Sequence, residues 1–166
     1  RNPKPDNCSF IGPLSRFNNP AISNKYKYKY LAIMSGPEPQ RSIFENIVIK
    51  QFMEQKSACA IIGGKPNGKN YSNKNITYFN HIETESFFKT VESSKYIICR
   101  AGYSSIMDLS VLQKDALLIP TPGQTEQEYL AKYHSYLSGA QWTTQENFNL
   151  KKEFLIQTFL VPYRYF

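Results

Sequence analysis

Arg100, Ala101 and Gly102 stand directly after the apolar run Tyr96-Ile97-Ile98-Cys99, and Ser104, Ser105 and Asp108 follow closely. Asp108 lies six positions after Gly102. Glycine at a strand-to-helix junction lets a ligand approach the backbone, and the free amides of a helix start favour phosphate. Serine hydroxyls add donors at the same point. A carboxylate about a turn and a half into the helix can accept two hydrogen bonds from ribose hydroxyls. Together these residue types suit a nucleoside diphosphate. Each also has a plainer role: a turn glycine, serine helix caps, and an exposed acid or a partner for Arg100.

Positioning such groups takes a particular arrangement of elements. Tyr30 to Met34, "ACAIIG", Ile76 to Phe79, "YIIC" and Ala116 to Pro120 read as short strands. Between and after them, Arg41 to Gln55, "ESFFKTVESS", Ser105 to Gln113 and "TEQEYLAKYHSYLSG" read as helices, the last stopped by Gly139. In the first helix, Ile43, Phe44, Ile47 and Val48 share one face. "QENFNLKKEFLIQTFL" is a final helix that Pro162 ends. Strands alternating with helices predict an α/β fold, a Rossmann-like parallel sheet with helices on both faces. Residues 1–24 read as an extended, proline-marked lead-in, and residues 25–166 as the domain itself.

Ligands in such sheets bind beyond the carboxyl ends of the strands. The segments there are "SGPEPQRS" with Ser35 and Gly36, "GGKPNG", "NHIETES" with His81 and Ile82, "RAGYSS", and "TPGQTEQE" with Gln124, Gln127 and Glu128. "GGKPNGKN" lacks the lysine-hydroxyl ending of a P-loop, and no G-x-G-x-x-G fingerprint occurs. The chain holds three aspartates, Asp6, Asp108 and Asp115, far apart in sequence. No paired-acid metal site and no carboxylate catalytic pair follow from them. A serine-histidine-acid triad stays open, although no G-x-S-x-G elbow is present. His81 taken alone is an ordinary loop histidine.

At 166 residues the chain suits one domain, and no apolar run approaches the roughly 20 residues of a membrane span. Its start, Arg1 to Asp6, has neither a signal-peptide layout nor an initiator methionine, which suggests a piece of a longer protein. Cys8, Cys59 and Cys99 are widely spaced, and the last two sit inside apolar runs, as buried thiols of a reducing compartment do. The net charge of +7 concentrates in "NKYKYKY" and "GGKPNGKNYSNKN". The first alternates charge with aromatic, as a strand with one wet face does, and the second reads as a solvated loop. No nucleic-acid partner is expected; an anionic membrane surface or a phosphorylated ligand is the remaining use for the lysines.

The segment "YIICRAGYSSIMDLSVLQKDALLIPTPGQTEQEYLAKY" resembles the signature region of the C-terminal half of GT-B glycosyltransferases. Within them it is similar to the bacterial UDP-GlcNAc transferases that form lipid II, and to their relatives. Arg100, Ala101, Gly102 and Asp108 match the family's arginine, small residue, glycine and acid, with aspartate replacing the usual glutamate. Pro120 and Gln127 match the next strand end and helix start, where Glu128 stands at a position often held by glutamine. More faintly, "MSGPEPQR" resembles the loop facing phosphate, "FNHIETE" the base-binding loop, and "FIGPL" the linker entering the domain.

The resemblance implies a donor-binding domain that takes a UDP-sugar through Ser35, Gly36, His81, Ile82, Arg100, Ala101, Gly102, Ser104, Ser105, Asp108, Gln124, Gln127 and Glu128. It implies no cofactor and no metal. The acceptor, a glycan or lipid-linked sugar, and the catalytic base belong to a second domain outside this chain. For the full-length protein it implies a cytoplasmic location with peripheral association at the inner membrane face. A nucleotide-sugar epimerase half, and a non-catalytic donor-binding subunit completed by a partner chain, remain as alternatives.

Overall fold

In a computed structural model, which describes residues 7–155 other than 10, 66 and 139, strand β1 (Tyr28–Ile33) occupies the middle of the sheet. Its Tyr30, Leu31 and Ala32 are buried, which requires neighbours on both sides and cover on both faces. Helix α1 (Gln40–Met53) leads to β2 (Cys59–Ile62), and a hairpin of β3 (Tyr71–Asn73) and β4 (Ile76–Phe79) follows. Then come α2 (Thr84–Glu92), β5 (Ser94–Cys99), α3 (Tyr103–Leu112), β6 (Ala116–Leu118), α4 (Thr125–Ser138) and α5 (Leu150–Leu155). The sheet order is β3-β4-β2-β1-β5-β6, and every pairing except β3–β4 is parallel.

One face packs Phe44, Val48 and Phe52 of α1, with Phe148 and Leu150, against Ala32, Ile61 and Ile98. The other packs Val91, Ile106, Leu109, Leu112 and Leu130 from α2, α3 and α4 against Leu31, Ile97 and Leu118. Helices therefore cover both faces, the α/β architecture expected from the alternation. Among the described residues, no helix is long and apolar enough to cross a membrane.

The structure departs from the sequence expectation at several points. Part of the lysine-rich loop is strand β3, which turns back on β4 through Lys74 at φ 52°. Its residues are all exposed, so no burial pattern marked it. The buried stripe of α1 runs through Phe44, Val48 and Phe52, whereas Ile43 is exposed. Residues 145–149 are not helical, and α5 begins at Leu150. Gly139, Pro162, Phe10 and Arg1 to Asp6, each given a role in the sequence reading, lie outside the described residues.

Cys8 is exposed, while Cys59 and Cys99 are buried in the two faces of the core. Burial pushes both buried thiols up to about 12. An alkylating reagent at neutral pH is expected to label one thiol per folded chain and all three after denaturation. Rapid labelling of a second thiol in the folded chain would show that one core face opens.

Candidate nucleotide-binding site

From β1 the chain builds outward to β2 and β4 on one side, then crosses to β5 and β6 on the other. The connections leaving β1 and β5 diverge, which opens a crevice at the carboxyl ends of this adjacent pair. A cavity of about 410 Å³ lies there, lined by Ile33 and Ser35 at the end of β1 and by Ser104, Ser105 and Asp108 of α3. Phe87 of α2 completes its wall, together with Leu14 and Arg16 of the lead-in.

Asp108 is held from the lead-in. Ser15 Oγ donates to Asp108 Oδ1 at 2.7 Å, and Arg16 Nε pairs with Oδ2 at 3.2 Å. The Arg16 guanidinium lies 4.4 Å from the centroid of the Phe87 ring, and Phe17 stacks on the same ring at 5.8 Å. The carboxylate is thus fixed in orientation with two of its roughly four lone-pair directions in use. Asp108 is neither a solvent-facing acid nor a partner of Arg100.

Gly102 is the residue preceding the first turn of α3, at φ −91° and ψ 151°, and no side chain caps that end. A Cβ added there would meet nothing within 4 Å, so space lies open beside the helix start. Ser104 and Ser105 are first-turn residues, not caps, because the cap position belongs to Gly102. Gly36 takes φ +95°, a left-handed conformation that glycine tolerates without strain. The buried Thr121 Oγ1 lies 3.6 Å from where a Gly36 Cβ would stand and has no hydrogen-bond partner among the described residues. Glu38 braces this loop by accepting from Arg41 Nε at 3.0 Å and from the Ser42 amide at 3.2 Å. Those donors hold the Glu38 carboxyl well down, at about 2.

Arg100 does not face the cavity. It is 1% exposed and donates to Gln145 Oε1 at 2.6 Å, Gln40 O at 3.0 Å, and the carbonyls of Ile119 and Pro120 at 3.3 Å. Its guanidinium also sits 4.3 Å from the centroid of the Phe44 ring. Burial pulls its pKa down to about 10, so it remains a cation at neutral pH. One side chain thereby joins β5, the end of β6, the start of α1 and the segment before α5. Ala101 is fully buried beside it.

The glutamines also turn inward on the protein. Gln127 Oε1 accepts the Thr121 amide at 2.9 Å, and its Nε2 donates to Gln124 Oε1 at 2.5 Å. Both side chains therefore shape the loop between β6 and α4. Glu128 borders a second hollow of about 290 Å³ with Pro120, Trp142 and Gln145. His81 is exposed, and Ile82 packs against the core face under α2; neither lines the cavity at the β1–β5 crevice. The structure therefore gathers Ser35, Ser104, Ser105 and Asp108, and sets the other expected residues around or beneath them.

Sequence reasoning missed Arg16, Ser15 and Phe87, because their roles depend on where the lead-in crosses α2 and α3. It also missed Gln40 and Gln145, whose oxygens accept from Arg100 Nη2. Among the described residues, no three His, Cys, Asp or Glu side chains gather as a metal site.

Residues 44–159 match the model of the glycosyltransferase family 28 C-terminal domain, well over half of the chain, and the protein belongs to that family. Its fold, that of the C-terminal half of a GT-B glycosyltransferase, is similar to the crystal structure of MurG from Acinetobacter baumannii. That similarity has a TM-score of 0.59 at 16% sequence identity, and covers 82% of this chain but 44% of MurG. The chain thus spans less than half the length of that protein. No curated protein sequence matches it.

Proposed function

We propose that the chain is the donor-binding half of a glycosyltransferase that moves a hexose or hexosamine from a UDP-sugar to an acceptor hydroxyl. The carrying observation is the cavity at the β1–β5 crevice, where a pre-oriented carboxylate stands beside an uncapped helix start. Asp108 accepts the ribose hydroxyls on its remaining lone pairs. The amides at the start of α3, with Ser104, Ser105, Ser35 and Gly36, take the diphosphate. A backbone edge near His81 and Ile82 reads uracil, and the loop shaped by Gln124, Gln127 and Glu128 borders the sugar.

In the reaction the acceptor oxygen attacks the anomeric carbon as the bond from that carbon to the phosphate oxygen breaks. The electron pair leaves with UDP, and the acceptor proton passes to a base in the companion domain, which also holds the acceptor. Helix amides and the nearby Arg16 stabilise the charge gathering on the diphosphate, so the leaving group needs no metal from this chain. This chain alone holds the donor but turns it over negligibly, in a cytoplasmic setting where its thiols stay reduced.

Titration calorimetry on the chain tests the reading. UDP is expected to bind without magnesium, and more tightly than ADP or GDP. Equal affinity for the three nucleotides, or an absolute magnesium requirement, would reject it. So would rapid sugar transfer by the chain alone, which would mean that the catalytic machinery has been misassigned.

A further inference from the structure

Beyond β6, the hollow of about 290 Å³ shares no lining residue with the cavity at the β1–β5 crevice. Pro120, Pro122 and Gly123 turn the chain out of β6 along one side of it, and Glu128 and Lys132, four residues apart, share the face of α4 on another. Trp142 closes it, in the segment that runs beside β6. These walls are fixed from behind. The Leu118 amide bonds Gln141 O at 2.9 Å, Gln127 Oε1 accepts the Thr121 amide, and Gln145 accepts from the buried Arg100. We infer that this hollow binds a neutral pyranose residue of a glycan, without any help from a nucleotide.

The polar groups of the hollow are uncommitted. Glu128 is half-buried, yet among the described residues its carboxylate joins no ion pair and accepts no hydrogen bond. Lys132 stands at the spacing for a pair with it, but its ammonium lies instead 5.9 Å from the centroid of the Trp142 ring. A carboxylate with open lone pairs beside a fixed indole suits a pyranose. Vicinal hydroxyls donate to the acid while the apolar face of the sugar covers the ring. Lys132 can donate to a further sugar oxygen.

Size and charge narrow the ligand. The volume lies near the lower end, roughly 300 Å³, of small-molecule sites, which suits one sugar ring. Glu128 and Glu146 outnumber Lys132 around it, so a phosphorylated or uronic sugar meets net repulsion. A peptide strand is poorly served, because the edge of β6 is already bridged at Trp142. On the next row round α4, Tyr129 and Tyr133 are exposed and stack with ring centroids 5.6 Å apart. They give a second sugar a face to lie on, so a disaccharide binds more tightly than a single residue. The inference is independent of what the cavity at the β1–β5 crevice binds.

Trp142 is the only tryptophan of the chain, so its fluorescence reads this hollow alone. Titrating the full chain with methyl glucoside, cellobiose or diacetylchitobiose should shift the emission saturably, and most tightly with the disaccharides. Glucuronate and glucose phosphate should not shift it. Glu128→Gln should weaken binding about tenfold or more, since it removes a charged acceptor. Tyr129→Ser should cost the disaccharides their advantage and leave the methyl glucoside as it was. Glu126→Gln, the same charge change two residues earlier, should alter nothing, and neither should saturating UDP nor Asp108→Asn, which keeps this outcome apart from that of UDP calorimetry. The inference is overturned by no saturable shift with any neutral sugar, by tighter binding of the anionic sugars, or by equal affinities in Glu128→Gln and Glu126→Gln. A shift produced only by a UDP-sugar and abolished by Asp108→Asn would also overturn it, by making the hollow a part of the donor site.

Discussion

Asp108→Asn is expected to weaken UDP binding from about tenfold to over a hundredfold, because a hydrogen bond to a charged group contributes roughly 1.5–3 kcal/mol. The same change should barely alter the melting temperature. Its ion pair with Arg16 is half open to solvent on the arginine side, and such pairs contribute about 0.2–1 kcal/mol. Asp108→Glu should keep most of the affinity, since the acid remains and Arg16, on the pliable lead-in, can follow one added methylene. Calorimetry and thermal melting on the same two variants separate binding from fold. A lower melting temperature with unchanged UDP affinity would make Asp108 only an anchor for the lead-in, and would remove it from the donor site.

Arg100→Met should act the other way, on the fold. Methionine fills much of the volume but leaves Gln145 Oε1 and the carbonyls of Ile119 and Pro120 without this donor, whereas Gln40 O keeps its helical amide. A buried unsatisfied group costs about 1–3 kcal/mol, so the loss should be about 3 kcal/mol or more. For a chain of this size that lowers the melting temperature by about 6–12 °C. Arg100→Lys should recover less than half of the loss, because an ammonium cannot span four acceptors that a planar fork reaches. A scan that finds Arg100→Met as stable as the parent would show that those acceptors are satisfied in another way.

The strands and helices were legible wherever burial imposes a period. Tyr30–Ala32 and Ile97–Cys99 are apolar because the sheet covers them from both sides, and the helix after Gly102 follows from its serine-rich start. Strand β3 was hidden because an exposed edge strand needs no apolar alternation. Ile43 misled because the helical period allows two adjacent stripes, and packing against the sheet chose the one through Phe44, Val48 and Phe52. At the site, Asp108 was legible from its spacing to Gly102, since that interval is set by the helix itself. The placement of Arg100 was not. The arginine that follows a strand can turn toward a ligand or into the core, and Gln40 and Gln145, distant in sequence, decide it by presenting acceptors. Nor was the link from Ser15 and Arg16 to Asp108, which spans more than ninety residues and depends on Phe17 docking between α2 and the sheet.

The two borders of the sheet restrict how this domain can be assembled into anything larger. On one border β3 is three residues long, fully exposed, and antiparallel to its neighbour. On the other, β6 is covered by the segment at Trp142, where the Leu118 amide bonds Gln141 O at 2.9 Å and the Thr143 amide bonds Leu118 O at 3.1 Å. Neither border offers the long unpaired ladder that strand addition requires. Among the described residues, pairing of another strand onto either border is therefore disfavoured. Contacts with another domain are left to the helix-covered faces and to the strand ends, and of these the carboxyl ends are where Gly36, Gly102 and Asp108 stand.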